Sequence, residues 1–194
     1  MPKRDRRRDI IEAAQKLFTS GRFHEVTTDD VARAAKVGKG TIYKYFRDKD
    51  DLFFETANAG LSQLCETLHK KVPEGAPFSE QLLSACVAIS TFFRHKRQVM
   101  RVIQPDEGRG PFSGEFRERW RQKRAELVAA VAAIISKGVD EGEIRDDVDP
   151  QVLAAFFLGM LRTRGRELGD APEEMQRHEM VVDLFRNGAA RRDA

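Results

Sequence analysis

The chain has 194 residues, 34 of them Lys or Arg and 31 Asp or Glu, for a net charge of +3, and 41% are hydrophobic. That length suits one ordinary domain or two small ones sharing a core. Its longest unbroken apolar run, Leu127 to Ile135, is far short of the ~18 residues of a membrane span, so no membrane partner is expected.

The first periodic segment carries Ile10, Ala13, Ala14, Leu17 and Phe18 at i, i+3, i+4, i+7 and i+8, the stripe of a helix packed on a core. Gly21 is its expected stop, and Phe23 and Val26 follow as apolar plugs. Thr27 or Thr28 is suited to cap a second helix, with Asp29 and Asp30 favouring the positive end of its dipole. Val31, Ala34 and Ala35 give that helix an apolar stripe, with Ala32 beside it. The pattern breaks at Lys36-Val37-Gly38, where Gly38 is a tolerated cap for a new helix. From Lys39 to Tyr45 the residues turn cationic, hydroxylic or aromatic, and only Ile42 and Phe46 are apolar enough to anchor inward. A buried helix would not carry that set, and a solvated one would not need two tyrosines. A helix that reads a DNA groove would.

Asp48 is suited to cap a fourth helix, from about Asp51 to Lys71, whose Leu52, Phe53 and Ala57 begin the link to the rest of the chain and which stops at Pro73-Glu74-Gly75. The next runs from Phe78 to about His95 with apolar residues most of the way round, which predicts a central, buried helix. A short piece through Val99, Val102 and Ile103 ends at Gln104-Pro105, and a charged, Gly-rich loop, Asp106 to Gly110, follows. A long helix is predicted from about Phe112 to Gly138. Asp149-Pro150 is a cap followed by a first-turn proline, opening a helix to about Leu168, and Pro172 opens the last, to about Asn187. No stretch alternates as a strand would, so the fold is expected to be all-α, with about nine helices.

Charge follows the same division. Residues 1–52 hold 13 basic against 9 acidic residues, a balance of +4, while the rest hold 21 against 22, a balance of −1. Excess positive charge at one end is what phosphate binding requires. Lys3, Arg4, Arg6, Arg7 and Arg8 read either as an arm for DNA or as a solubilising terminus. That basic start lacks the apolar stretch of a signal peptide, and Cys65 and Cys86 lie in helical patterns, not in a disulfide framework. A reduced, cytoplasmic protein is the expectation.

Arg8, Ala13-Ala14, Leu17-Phe18, Gly21-Arg22-Phe23, Thr27-Thr28, Val31-Ala32, Ala35, Val37, Lys39-Gly40-Thr41-Ile42-Tyr43, Tyr45-Phe46 and Lys49 to Leu52 together resemble the N-terminal signature of the tetracycline-repressor (TetR) family of bacterial transcription regulators. The match runs in one gap-free register over about a quarter of the chain. One departure is Gly38, where many relatives carry a hydroxyl side chain. The resemblance implies an N-terminal three-helix helix-turn-helix DNA-binding domain, residues 1–50, and a C-terminal helical effector-binding and dimerisation domain, residues 51–194. It implies a repressor that sits on a double-stranded DNA operator as a homodimer and is released by a small-molecule effector.

Site residues follow in three groups. Lys39, Tyr43 and Lys44 are expected to face the groove, with Gly40 letting the backbone come close. Thr28, Thr41, Tyr45 and Lys49 resemble the positions with which the family anchors phosphates. Leu153, Phe156, Phe157, Met160 and Leu161 form one wide stripe near the C-terminus, and Met175, Val181, Val182, Leu184 and Phe185 another. Singly they read as core. As a set they resemble the family's four-helix dimer interface, for which Leu153, Phe157, Met160, Leu161, Val181, Val182 and Phe185 are the candidates. Two readers on a two-fold axis fit half-sites about 34–36 Å apart, a palindrome. For a largely apolar effector, Phe92, Phe93, Phe116, Trp120, Phe156 and Phe157 are candidate pocket walls, each equally readable as plain core. Arg117, Arg121 and Arg124, with Arg109 in the preceding loop, read as a solvated face or as a cradle for an anionic head group held with Arg121 and Arg124.

Catalysis is not expected, nor is a bound cofactor beyond the unidentified effector. His24, His69, His95 and His178 are scattered outside any metal-binding spacing. Cys65 and His69 share a helical face, a pairing that could hold a metal or tune a thiolate but that coincidence in an interior helix explains better. The competing function is a sequence-indifferent architectural DNA binder. It explains the basic N-terminus, but neither the long helical remainder nor tyrosines interleaved with lysines on one short helix.

Overall fold

Helix is the regular structure of this chain. The computed structural model describes residues 5–20, 25–95, 114–168 and 171–190, and these form eight α-helices with a single isolated bridge between Ile144 and Ala190. The helices are α1 (Arg6–Ser20), α2 (Thr28–Ala35), α3 (Lys39–Tyr45), α4 (Lys49–Lys71), α5 (Phe78–His95), α6 (Gly114–Asp140), α7 (Pro150–Glu167) and α8 (His178–Ala189). They divide into two compact units, residues 1–62 with 95–123 and residues 63–94 with 124–194. The expected stop at Gly21, the plug at Phe23, the short piece through Val99–Ile103 and the loop with Arg109 lie outside the described residues.

The first unit is built on one apolar centre. Ile10, Ala14 and Phe18 of α1 are buried with Val31 and Ala35 of α2, Ile42 of α3, Phe46, and Leu52, Phe53 and Phe54 of α4. Phe18 meets Phe53 edge to face at 4.9 Å. Two sequence expectations shift here. Leu17 is half-buried while Ile11 is buried, and Ala34 is exposed while Ala32 is buried. In α2 the inward residues are Thr28, Val31, Ala32 and Ala35, the i, i+3, i+4, i+7 set that one helical face holds.

A band of ion pairs overlays that centre. Glu55 of α4 accepts from Arg7 of α1 and Arg119 of α6, and Arg119 also approaches Asp51 at 3.9 Å. Arg47, just after α3, pairs with Asp51 at 3.7 Å and with Glu115 of α6 at 3.6 Å, and its backbone N–H donates to Asp51. The guanidinium groups also cover rings: Arg7 lies over Phe46, Arg47 over Phe116, and Arg119 over Phe54. Nearly buried carboxylates are tolerable because each has more than one cationic partner.

In the second unit α5 presents one face inward. Phe78, Gln81, Leu82, Ala85, Cys86 and Ile89 are buried, but Val87 is exposed and Phe92 and Phe93 are half-buried. The sequence expectation of a helix buried most of the way round is therefore corrected: its outer apolar residues are only partly covered, and Val87 is exposed. Phe78 also caps a junction, its N–H donating to Glu141 at 2.9 Å while its ring lies against Gly138. A Cβ at Gly138 would stand 2.8 Å from that ring and from Ile144, so only glycine lets α6 approach so closely. Gln81 donates to the carbonyls of Pro73, Glu74 and Ala76, holding the turn that the proline and glycine were read to make. Asp149 caps α7, accepting from the Gln151 N–H, with Pro150 in the first turn as expected. The last predicted helix is two pieces: Pro172 precedes a 3-10 turn, Glu173–Gln176, and α8 starts only at His178.

Candidate nucleic-acid interface

The reader is assembled by local chemistry on both sides of one turn. Thr27 caps α2: its hydroxyl accepts from the Asp30 N–H at 3.2 Å, and the Asp30 carboxylate accepts from the Thr27 N–H at 3.0 Å. The Thr27 hydroxyl also donates to Asp30 at 2.6 Å, and these bonds hold the Asp30 carboxyl below its ordinary range. α2 ends on Lys36 in the left-handed region at φ 56°. The Lys36 and Val37 N–H groups then return to the Arg33 and Ala32 carbonyls, at 3.2 and 2.9 Å. This is a Schellman turn on a residue other than glycine. Two residues later Gly38 opens α3.

α3 has seven residues and buries one of them, Ile42; Phe46 closes it, buried and extended. Lys39, Gly40, Tyr43, Lys44 and Tyr45 are exposed, the tyrosines by 49% and 43%, and Thr41 is half-buried. Both rings are close to half exposed although Tyr43 bonds Thr28 and Tyr45 lies 6.4 Å from the Phe46 ring. A Cβ at Gly40 would meet nothing within 4 Å, so the absent side chain opens space on the outer side. Two links tie α2 to α3. Thr28 and Tyr43 share a hydrogen bond between hydroxyls at 3.3 Å, and Lys39 donates to Asp29 at 2.8 Å. The Asp29 bond raises the pKa of the Lys39 ammonium. Thr28 is buried, so its hydroxyl serves the α2–α3 junction as well as any phosphate. Lys49, half-buried in the first turn of α4, has its pKa lowered by desolvation. Asp48 caps that helix, accepting from the Asp51 N–H at 2.8 Å.

The remaining candidates separate. Phe116 packs on Phe54 at 4.9 Å, Trp120 is buried, and Arg121 is exposed and paired with Glu118, all in the first unit. Phe92, Phe93, Arg124, Phe156 and Phe157 belong to the second unit, where Phe92 and Phe93 touch each other at 5.5 Å. Phe157 is core, edge to face with Phe185 at 5.0 Å. Leu153, Leu161, Val181, Val182 and Phe185 are likewise buried within the single chain, so these residues of the proposed interface pack inside it. The residues facing outward are their neighbours: Phe156 is 69% exposed, Leu184 56% and Val152 46%, with Met160 half-buried. They line an open groove of about 740 Å³ on α7 and α8, together with Met180 and Arg164. Val152, Phe156 and Met160 stand at i, i+4 and i+8, a stripe legible in the sequence beside the buried one.

Among the described residues no three His, Cys, Asp or Glu side chains gather to hold a metal. His69 bonds the Cys65 carbonyl at 2.7 Å, a contact within one helical turn that engages the backbone and not the thiol. No helix among the described residues is long and apolar enough to cross a membrane.

Residues 10–56 match the model of bacterial regulatory proteins of the tetR family, and residues 75–164 match that of the tetracyclin repressor-like C-terminal domain. The chain is 29% identical over 154 residues to the uncharacterised HTH-type transcriptional regulator YhgD of Bacillus subtilis, covering 79% of each. It is 25% identical over 186 residues to the HTH-type transcriptional repressor Rv1474c of Mycobacterium tuberculosis, covering 96% of this chain and 94% of that one. Its fold is similar to that of the regulator FadR from Bacillus subtilis, solved in complex with stearoyl-CoA, at a TM-score of 0.75 and 21% identity over 93% of this chain and 98% of that one. An exposed, aromatic and cationic α3 held by a capped α2, with both halves of the chain matching, makes this protein a DNA-binding transcriptional regulator of the TetR family.

Proposed function

We propose that the protein is a homodimeric repressor, with one reader on each half of a palindromic operator and a small, largely apolar effector that releases it. Lys39, Tyr43 and Lys44 meet base edges, Gly40 permits close approach, and Thr28, Thr41, Tyr45 and Lys49 meet the backbone. Residues 1–50 do the reading and residues 51–194 the sensing and pairing. The observation that carries the dimer is the outward apolar face of α7 and α8, where Phe156, Leu184 and Val152 lie open on the single chain. Exposed apolar patches of this kind mark interaction sites, and a second copy brings the self-complementary surface that a two-fold axis requires.

Two observations support an effector. Among the described residues the Asn58 side-chain oxygen on α4 is buried without a hydrogen-bond donor, a state that a ligand or a water relieves. The FadR relative was solved with stearoyl-CoA, whose long apolar tail and anionic head are the chemistry proposed for this chain's effector. α4 starts directly after the reader, and Arg119 of α6 grips its Asp51 and Glu55. An effector that favours a different setting of α4 therefore alters the reader separation, and moving the population from 1:99 to 99:1 takes about 5.5 kcal/mol of differential affinity. The test is selection of bound sequences from random duplex DNA, with native mass spectrometry of the purified protein. A palindrome and a dimer, with an adduct of fatty-acyl mass, are expected. Recovery of no motif, or a bare monomer at micromolar concentration, would overturn the proposal.

A further inference from the structure

Asp29 sits in the first turn of α2 beside Asp30, and the two have different work. Asp30 completes the capping box with Thr27, so Asp29 is not needed for the cap. Its carboxylate instead accepts from the Lys39 ammonium at 2.8 Å, reaching across the turn to the first residue of α3. Both side chains are about half exposed, 52% and 54%, and pairs so open to water contribute little to stability. Next to a lysine that faces DNA, a carboxylate also opposes the phosphates, and it does so most where the lysine finds no better acceptor. Asp30 supplies the cap and shares the dipole contribution of the first turn, so the pair with Lys39 is what sets Asp29 apart.

We propose that Asp29 is a specificity-determining residue of the reader, holding the Lys39 ammonium so that only DNA offering it a better acceptor displaces the carboxylate. The inference rests on α3 being the reader. Guanine presents O6 and N7 together in the major groove, an acceptor pair suited to replace one carboxylate. At other base pairs Lys39 either leaves Asp29 uncompensated or stays with it and contributes nothing. Asp29 thus positions a contact residue and penalises its use at the wrong site, while Thr28 and Tyr43 brace the same junction from the other side.

The experiment compares the full-length parent with Asp29→Asn by fluorescence anisotropy, on the selected operator and on a random-sequence duplex of equal length, across a salt series. Asn keeps the shape and loses the charge. The random duplex should bind Asp29→Asn about 3- to 10-fold more tightly, with a salt slope steeper by about 0.9, while the operator gains less. The operator-to-random ratio should therefore fall by about threefold or more, and Asp29→Glu should retain the parent ratio. In a Lys39→Gln background Asp29→Asn should no longer change the ratio, because the partner through which it acts is gone. A ratio unchanged by Asp29→Asn, or changed equally without Lys39, would overturn the role of Asp29. A parent that prefers no duplex would overturn the reader assignment and this inference together.

Discussion

Replacing Phe156 with Ala tests the dimer where its energy should lie. Phe156 is 69% exposed on the single chain. Burying a whole Phe side chain is worth about 1.5–3 kcal/mol, so the open share is worth about 1–2 kcal/mol per copy. A two-fold interface holds the residue twice, which makes the loss about 2–4 kcal/mol, or roughly 30- to 1,000-fold in the dimer dissociation constant. Sedimentation velocity over a dilution series from micromolar to nanomolar reads that shift directly. Thermal unfolding at low concentration should barely change, because Phe156 covers little within its own chain. Phe157→Ala is the contrast: that ring is buried against Phe185, so its loss should cost about 3–5 kcal/mol of monomer stability. If Phe156→Ala leaves the dissociation constant within threefold of the parent, the α7–α8 face is not the interface and the reasoning fails.

Lys49→Ala should weaken operator and random DNA alike and flatten the salt slope by about 0.9, whereas Lys39→Ala should change the selected sequence; identical behaviour would contradict the division of roles. Gly138→Ala should lower the unfolding free energy, read by denaturant titration, by about 1–2 kcal/mol, because the new methyl meets Phe78 and Ile144 at 2.8 Å and this outweighs the helix-propensity gain. Burial, aided by the Arg164 and Arg94 guanidiniums and opposed by Glu179, holds the His178 imidazole below its ordinary 6.5. The folded chain then binds that proton less readily than the unfolded one, so stability should decline as pH falls through 6.5 and level off below the folded pKa. His178→Gln should flatten the melting temperature over that window. Burial pushes the Cys86 thiol up to about 11, and the side chain is fully covered, so maleimide at neutral pH should modify the half-buried Cys65 long before Cys86.

Local chemistry made the reader legible. Gly38 and Asp48 cap where the sequence predicts because caps act within three residues, and of Thr27 and Thr28 it is Thr27 that caps, with Asp30 completing a box where the sequence predicts only a dipole role. Ile42 and Phe46 stood out as the apolar residues of a polar stretch, and they are the ones that turn inward. Asp149-Pro150 opened its helix for the same local reason. What needed the tertiary structure was the choice between equivalent faces. The stripes Val152–Phe156–Met160 and Leu153–Phe157–Leu161 have the same period and nearly the same hydrophobicity, yet the second is buried, with Phe157 against Phe185 of α8, while Val152 and Phe156 of the first stay open. Ala32 is buried and Ala34 exposed, and Val87 of α5 is exposed, because the period of an apolar stripe does not say which of its edges meets a neighbouring helix. Ion pairs across long separations, Arg7 and Arg119 on Glu55 or Lys39 on Asp29, were equally invisible, since a charge on a helix carries no mark of which distant helix will answer it. Sequence by itself determined the helices, their caps and the character of α3, because those depend on contacts a few residues away. Tertiary structure alone decided which apolar surface is core and which stays open on the chain, because that depends on where other helices stand.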